Sequence, residues 1–237
     1  MVKWLDARDQ GFDTSLKTLL SLREHASTDI SGDVKAIIKA VQEQGDEALF
    51  DYTERWDRVQ LTPETIRVSD KEVSAAYESC DAELIDALKL SAERISDYHS
   101  RQMPEDYRYE DSEGNSLGWR WRAVPAAGLY VPGGQAAYPS SVLMNAIPAI
   151  AAGVKRLAMV VPAPDGELNP IVLAAAHIAG ITEIYTVGGA QAVAALAYGT
   201  ASIAAVDKIV GPGNAWVAEA KRQLYGTVGI DMVAGPS

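Results

Sequence analysis

A single cysteine, Cys80, stands among 237 residues. No internal disulfide can form, and a reducing compartment is the natural setting. Histidine is nearly as scarce. His25, His99 and His177 are scattered, none with a second histidine or cysteine at i+3 or i+4, so no zinc pattern can be assembled. Basic charge is also short: 21 Lys and Arg face 32 Asp and Glu, giving a net charge of −11 and an isoelectric point near 4.7. Nucleic acid and anionic membrane are thereby excluded as partners, because both require a basic face that displaces counterions. Long apolar runs are missing. The best stretch, 141–154, is interrupted by Asn145, Pro148 and Gly153, and MVKWLDARDQ at the start has no apolar h-region. A cytoplasmic protein is expected. Neither a Walker A loop nor a G-x-S-x-G nucleophile turn occurs.

What is present divides into halves. Apolar residues make up 48% and charged residues 22%, enough for a sizeable core. Residues 1–119 hold 26 acids and 14 bases, whereas 120–237 hold 6 and 7. Glycine runs the other way, with 5 of 19 before position 119 and 14 after it. The acidic half has a helical period. Val34, Ile37, Ile38 and Val41 fall at i, i+3, i+4 and i+7 before Gly45, and Ala48, Leu49, Tyr52 and Trp56 make a second stripe. Ser69 and Glu72 are spaced as a capping box, with Val73, Ala76, Tyr77 and Cys80 on the inward face behind them. A longer helix from Ala82 turns Leu84, Leu88, Ala92, Ile95 and His99 inward and is bounded by Pro104. The period then drops to two. Leu117, Trp119, Trp121 and Ala123 follow the turn Glu113-Gly114-Asn115 and predict a hairpin.

From Gly128 onward, apolar strand segments (RLAMVVP, EIYTVGG, VDKIVGPG, GIDMVAGPS) alternate with helical ones, which predicts βαβ units and a parallel sheet buried on both faces. The expected fold class is α/β: a parallel sheet flanked by helices, an atypical and incomplete Rossmann-like domain over 128–237. A helix-rich partial α/β domain with a β-hairpin, 1–127, precedes it. In such sheets ligands bind beyond the carboxyl ends of the strands. Those ends carry Tyr130-Val131-Pro132-Gly133-Gly134, Gly188-Gly189, Gly211-Pro212-Gly213 and Gly235-Pro236-Ser237, turns that let a ligand reach the main chain and the free N–H groups of a following helix. A dinucleotide is the natural candidate. The standard fingerprint is incomplete, since Trp216 occupies its third glycine position. Asp231 lies 20 residues after Gly211, as a ribose-binding acid would, but is expected within its strand, which makes the spacing a coincidence.

The stretches GLYVPGGQAAYPSSVLMNAIPAIAAGV, VGGAQAVAALAYGT, VDKIVGPGNAWVAEAK and VGIDMVAGPS together resemble the histidinol dehydrogenase family over roughly residues 30–237, and QGDEALFDYTERWD is similar to that family's N-terminal region. One local departure is VVPAP, where many members have a Thr-Pro-Pro turn. The resemblance implies two successive NAD-dependent oxidations, L-histidinol to the aldehyde and on to L-histidine, with a zinc ion holding the substrate in a homodimeric enzyme. It also implies that Tyr130, Gln191 and Asn214 contact NAD and that Ser237 contacts substrate. The plainer alternatives are an N-cap role for Asn214 and a solvent-facing helix position for Gln191. By the same resemblance, the family's Glu-His acid/base pair and its zinc ligands fall beyond the motif ending at Ser237. No catalytic or metal-binding residue is therefore assigned, and the chain is expected to be inactive alone. Two other readings remain: a related zinc- and NAD-dependent dehydrogenase of another small amino or sulfonated alcohol, and a non-catalytic nucleotide-binding module.

Overall fold

The structure, a computed structural model, describes residues 4–133 and 138–233, with the backbone alone over 21–29. Five helices come first: α1 (Phe12–Asp29), α2 (Ser31–Gln44), α3 (Asp46–Asp57), α4 (Asp70–Ser79) and α5 (Ala82–Ser100). Val34, Ile37, Ile38 and Val41 are all buried along α2, as their spacing demands. In α3, Ala48 and Leu49 are buried with Thr53, whose hydroxyl donates to the Leu49 carbonyl at 2.8 Å, while Trp56 stays exposed. The capping box forms at α4: Ser69 Oγ accepts from the Glu72 N–H, and the Glu72 carboxylate accepts from the Ser69 N–H at 2.8 Å. Cys80 departs from its expected core position. It is the half-buried C-cap of α4, its thiol donating to the Ala76 carbonyl. Along α5 the fully buried positions are Ile85 and Leu88. Helix α1 lacks the usual signals, having Gly11 as an N-cap without a side-chain bond and running through Ile30 directly into α2.

A hairpin follows, β1 (Tyr107–Glu110) paired antiparallel with β2 (Ser116–Trp119), then β3 (Ala126–Tyr130), α6 (Pro139–Ala151), β4 (Arg156–Val160), α7 (Pro170–Ile178), β5 (Glu183–Tyr185), α8 (Gly189–Tyr198), β6 (Lys208–Val210), α9 (Ala215–Leu224) and β7 (Gly229–Ile230). The last five strands form one parallel sheet in the order β5-β4-β3-β6-β7. Residues 66–68 run antiparallel along its β5 edge, where the Val68 N–H donates to the Ile184 carbonyl and the Thr186 N–H to the Ile66 carbonyl, each at 2.9 Å. An edge that would otherwise present free backbone groups is thus covered.

The two-residue period of the strands sorts side chains between two cores. Tyr130, Ala158, Val160, Tyr185 and Ile209 face one core, shared with α2, α3, α8 and α9. Leu129, Val131, Met159, Val161 and Ile184 face the other, shared with α4, α5, α6 and α7. Both cores take residues from either side of residue 128. Helix α8 is the deepest element, with Ala190–Ala197 buried on every face. Its run of alanines and short aliphatics lets it lie between the sheet and α2. Among the described helices none is long and apolar enough to cross a membrane.

Candidate functional site

The strand order reverses between β3 and β6, since β4 lies on one side of β3 and β6 on the other. In a parallel sheet, the crossovers on the two sides leave in opposite directions and open a crevice at the carboxyl ends. A cleft of about 370 Å³ lies there, lined by residues following β3, β4, β5 and β6 and by Trp56 and Asp57 from the end of α3. Tyr130, Gln191 and Asn214, three separate strands' worth of sequence apart, meet on its wall.

Each is held differently. Tyr130 ends β3, is 3% exposed and accepts a hydrogen bond on its phenolic oxygen from the Gly189 N–H at 3.0 Å. Burial pushes its hydroxyl up to about 12, against the pull of that N–H, so the phenol stays protonated at neutral pH. Gln191 sits in the first turn of α8 and is 1% exposed, which overturns the solvent-facing alternative. Its Oε1 is buried without a partner. Its carboxamide folds over Gly189, where a Cβ would stand 2.5 Å from Oε1; with φ at 66°, glycine suits that position twice over. Asn214 does cap α9, its Oδ1 accepting from the Trp216 and Val217 N–H groups at 3.0 and 3.1 Å. Its amide NH₂ is what remains for a ligand.

Main chain defines the lip. A Cβ at Gly133 would lie 2.2 Å from the Pro162 carbonyl oxygen, and one at Gly188 would lie 2.4 Å from Pro162 Cβ, so the turns after β3 and β5 close directly on Pro162, which follows β4. At the start of α8 the first intrahelical bond runs from the Ala192 N–H to the Gly188 carbonyl. The N–H groups of Ala190 and Gln191 precede that ladder, at the end of the helix that favours negative charge.

Several residues that sequence reasoning considered take other roles. Asp231 lies just past the two residues of β7 rather than within a strand. Its Oδ2 accepts from the Gly211 N–H at 2.8 Å, and its Oδ1 receives the buried Lys221 ammonium, which also donates to the Gly211 carbonyl at 3.0 Å. It fixes the glycine turn from behind and offers no free oxygen pair. His177 packs on the Tyr77 ring at 4.4 Å between centroids, and His99 lies edge-on to Tyr98. Ser237 lies outside the described residues. Trp56, Asp57, Pro162 and Pro164 were not foreseen as lining residues. Their only sequence signal is indirect, since Trp56 and Asp57 close the family-like QGDEALFDYTERWD and Pro162 and Pro164 form the VVPAP departure.

Comparison with known proteins agrees with this fold. A family model described as histidinol dehydrogenase matches residues 20–237. The curated histidinol dehydrogenase of Rhodopseudomonas palustris is 58% identical over 233 residues, 98% of this chain and 54% of that protein. That of Ruegeria pomeroyi is 56% identical over 237 residues, 100% of this chain and 55% of that protein. Among solved structures, the crystal structure of histidinol dehydrogenase from Elizabethkingia anophelis superposes with a TM-score of 0.83 at 38% identity, covering 88% of this chain and 48% of that one. The chain spans about half the length of the relatives it matches.

Proposed function

The chain belongs to the histidinol dehydrogenase family, and from that premise we propose that it carries the NAD-binding portion of an oxidoreductase converting L-histidinol through its aldehyde to L-histidine. The observation that carries this reading is the convergence of Tyr130, Gln191 and Asn214 on one cleft at the point where strand order reverses. When bound, NAD supplies the acceptor for the hydride that leaves the alcohol carbon. Gln191 and Asn214 would hold it by their carboxamides, and the N-terminus of α8 favours its pyrophosphate. Tyr130, with its hydroxyl near 12, keeps its proton and orients rather than abstracts.

Metal binding needs a set of donors that the described residues of this cleft do not supply. Among the described residues no histidine lines it, and no group of three or more His, Cys, Asp or Glu could hold a metal ion. The zinc implied by the family therefore finds no donor set among the described residues. Ser237 as a substrate contact, a homodimer and a cytoplasmic setting belong to the same reading.

The test is a titration of the purified chain with NADH, followed by the fluorescence of Trp56 and Trp216 on the cleft wall. Saturable quenching is expected, weakened about tenfold by Asn214→Ser, which keeps an oxygen for the N-cap but removes the amide. An unchanged signal up to millimolar NADH would sink the reading. With histidinol, NAD and zinc, the 237 residues alone should form no NADH; measurable turnover would show that proton transfer is supplied from within them.

A further inference from the structure

Among the described residues, two buried side-chain oxygens lack a hydrogen-bond partner: Gln191 Oε1 and Asp57 Oδ2. Both residues line the same cleft. Buried polar atoms are satisfied almost without exception, so two unmatched ones on one wall mark a place where a ligand completes the bonding. Asp57 is the more informative, because an ionised carboxylate only accepts. Its partner must bring a donor.

The surroundings narrow that partner. The adjacent cation, Arg58, stands in a left-handed conformation at φ 59° and gives its hydrogen bonds to Asp165, its Nε donating at 2.6 Å; it acts on Asp57 through its charge without a hydrogen bond to it. Among the described residues no lysine, arginine or histidine lines the cleft, and Asp57 is its one acidic side chain. Trp56, next in the chain, and Trp216 approach with ring centroids 6.1 Å apart, two apolar faces at the same wall that suit a base. Many dinucleotide sites use an acid at the end of a neighbouring strand to accept from a ribose hydroxyl. Here the acid with matching spacing, Asp231, is consumed by Gly211 and Lys221. The acid that remains free comes instead from a helix of the preceding half.

We propose that Asp57 is the specificity residue for the dinucleotide: its free oxygen accepts from a hydroxyl of the adenosine ribose, and its carboxylate, with no cation beside it among the described lining residues of the cleft, rejects a 2′-phosphate. This rests on the NAD reading above. Asp57 belongs to α3, outside the glycine-rich turns, so cofactor choice and phosphate cradling are assigned to different parts of the chain.

The experiment titrates the purified chain and its Asp57→Asn variant with NADH, NADPH, 5′-AMP and nicotinamide mononucleotide, following tryptophan fluorescence. The unaltered chain is expected to bind NADH about tenfold or more tightly than NADPH, with 5′-AMP competing and nicotinamide mononucleotide not. In Asp57→Asn, which keeps the shape and removes the charge, that preference should fall at least about tenfold. Should this variant fail to fold, Asp57→Ser reads the same ratio. Binding of neither dinucleotide by the unaltered chain overturns the cofactor reading itself. Binding of NADH with an unchanged NADH-to-NADPH ratio in the variant, or competition by nicotinamide mononucleotide alone, overturns the role of Asp57 and leaves the cofactor reading standing.

Discussion

The parallel sheet and the antiparallel hairpin both carry large apolar side chains on their strands, yet they meet opposite surroundings. All five residues of β3 are buried, whereas every residue of β1 and β2 is exposed, with Tyr107, Tyr109, Leu117 and Trp119 between 43% and 54% accessible. The difference lies in the connections. A parallel pair needs a crossover long enough for a helix, and each crossover lays an apolar face on the sheet. The hairpin is closed by a tight turn, Asp111 accepting from Glu113 and Asn115 N–H groups at 2.9 and 2.8 Å, and that turn brings nothing to cover its strands. Alternating apolar residues therefore forecast pairing in both places, but burial in one.

The contrast can be broken first at its strong end. Leu129→Ala in β3, at 0% exposure, should cost about 3 kcal/mol, read as a lowered denaturant midpoint at unchanged slope. A loss below about 1 kcal/mol would mean that the sheet is not the stabilising centre. Next in size is a polar tie on the covered side. The Arg222 guanidinium, followed by Gln223 and Ser31, holds the Glu219 carboxyl down to about 2 from an ordinary 4.5, against burial. A depressed acid contributes stability above its unfolded value and loses it as pH falls through the folded one. Glu219→Gln should therefore cost about 1 kcal/mol at neutral pH, and the deficit should close between pH 4.5 and about 2. A deficit independent of pH would exclude the ion pair as its source. Smallest is Trp119→Ala in the hairpin. Although it removes a larger side chain than Leu129→Ala, it should shift stability by no more than about 0.5 kcal/mol, and a loss matching the leucine's would erase the distinction.

Much of this was legible from residue spacing because it depends on local rules. The α2 stripe, the Ser69–Glu72 box and the strand-and-helix rhythm after Gly128 are each decided within a few residues, and each forms as its pattern requires. Tyr130, Gln191 and Asn214 were nameable through the family's motifs, and the sheet does bring them to one cleft. Long-range pairings stayed hidden. Nothing in QGDEALFDYTERWD says that its last two residues will face a cleft more than 70 positions downstream, nor that Asp231 will spend its oxygens on Gly211 and Lys221. The burial of Gln191 was unreadable for another reason. A polar residue in a helix start is normally solvated, and only the packing of α8 on both sides removes that option.

Pro162 stands between Gly133 and Gly188 with room for no side chain on either flank. The mouth of the cleft is therefore gauged by two glycine turns wedged against one proline, like stones at the crown of an arch. Any residue other than glycine at 133 or 188 has to prise the arch apart. The walls are different: at Trp56, Asp57 and Trp216 a side chain can be exchanged without touching those glycine contacts, so what the opening admits can change while its calibre does not.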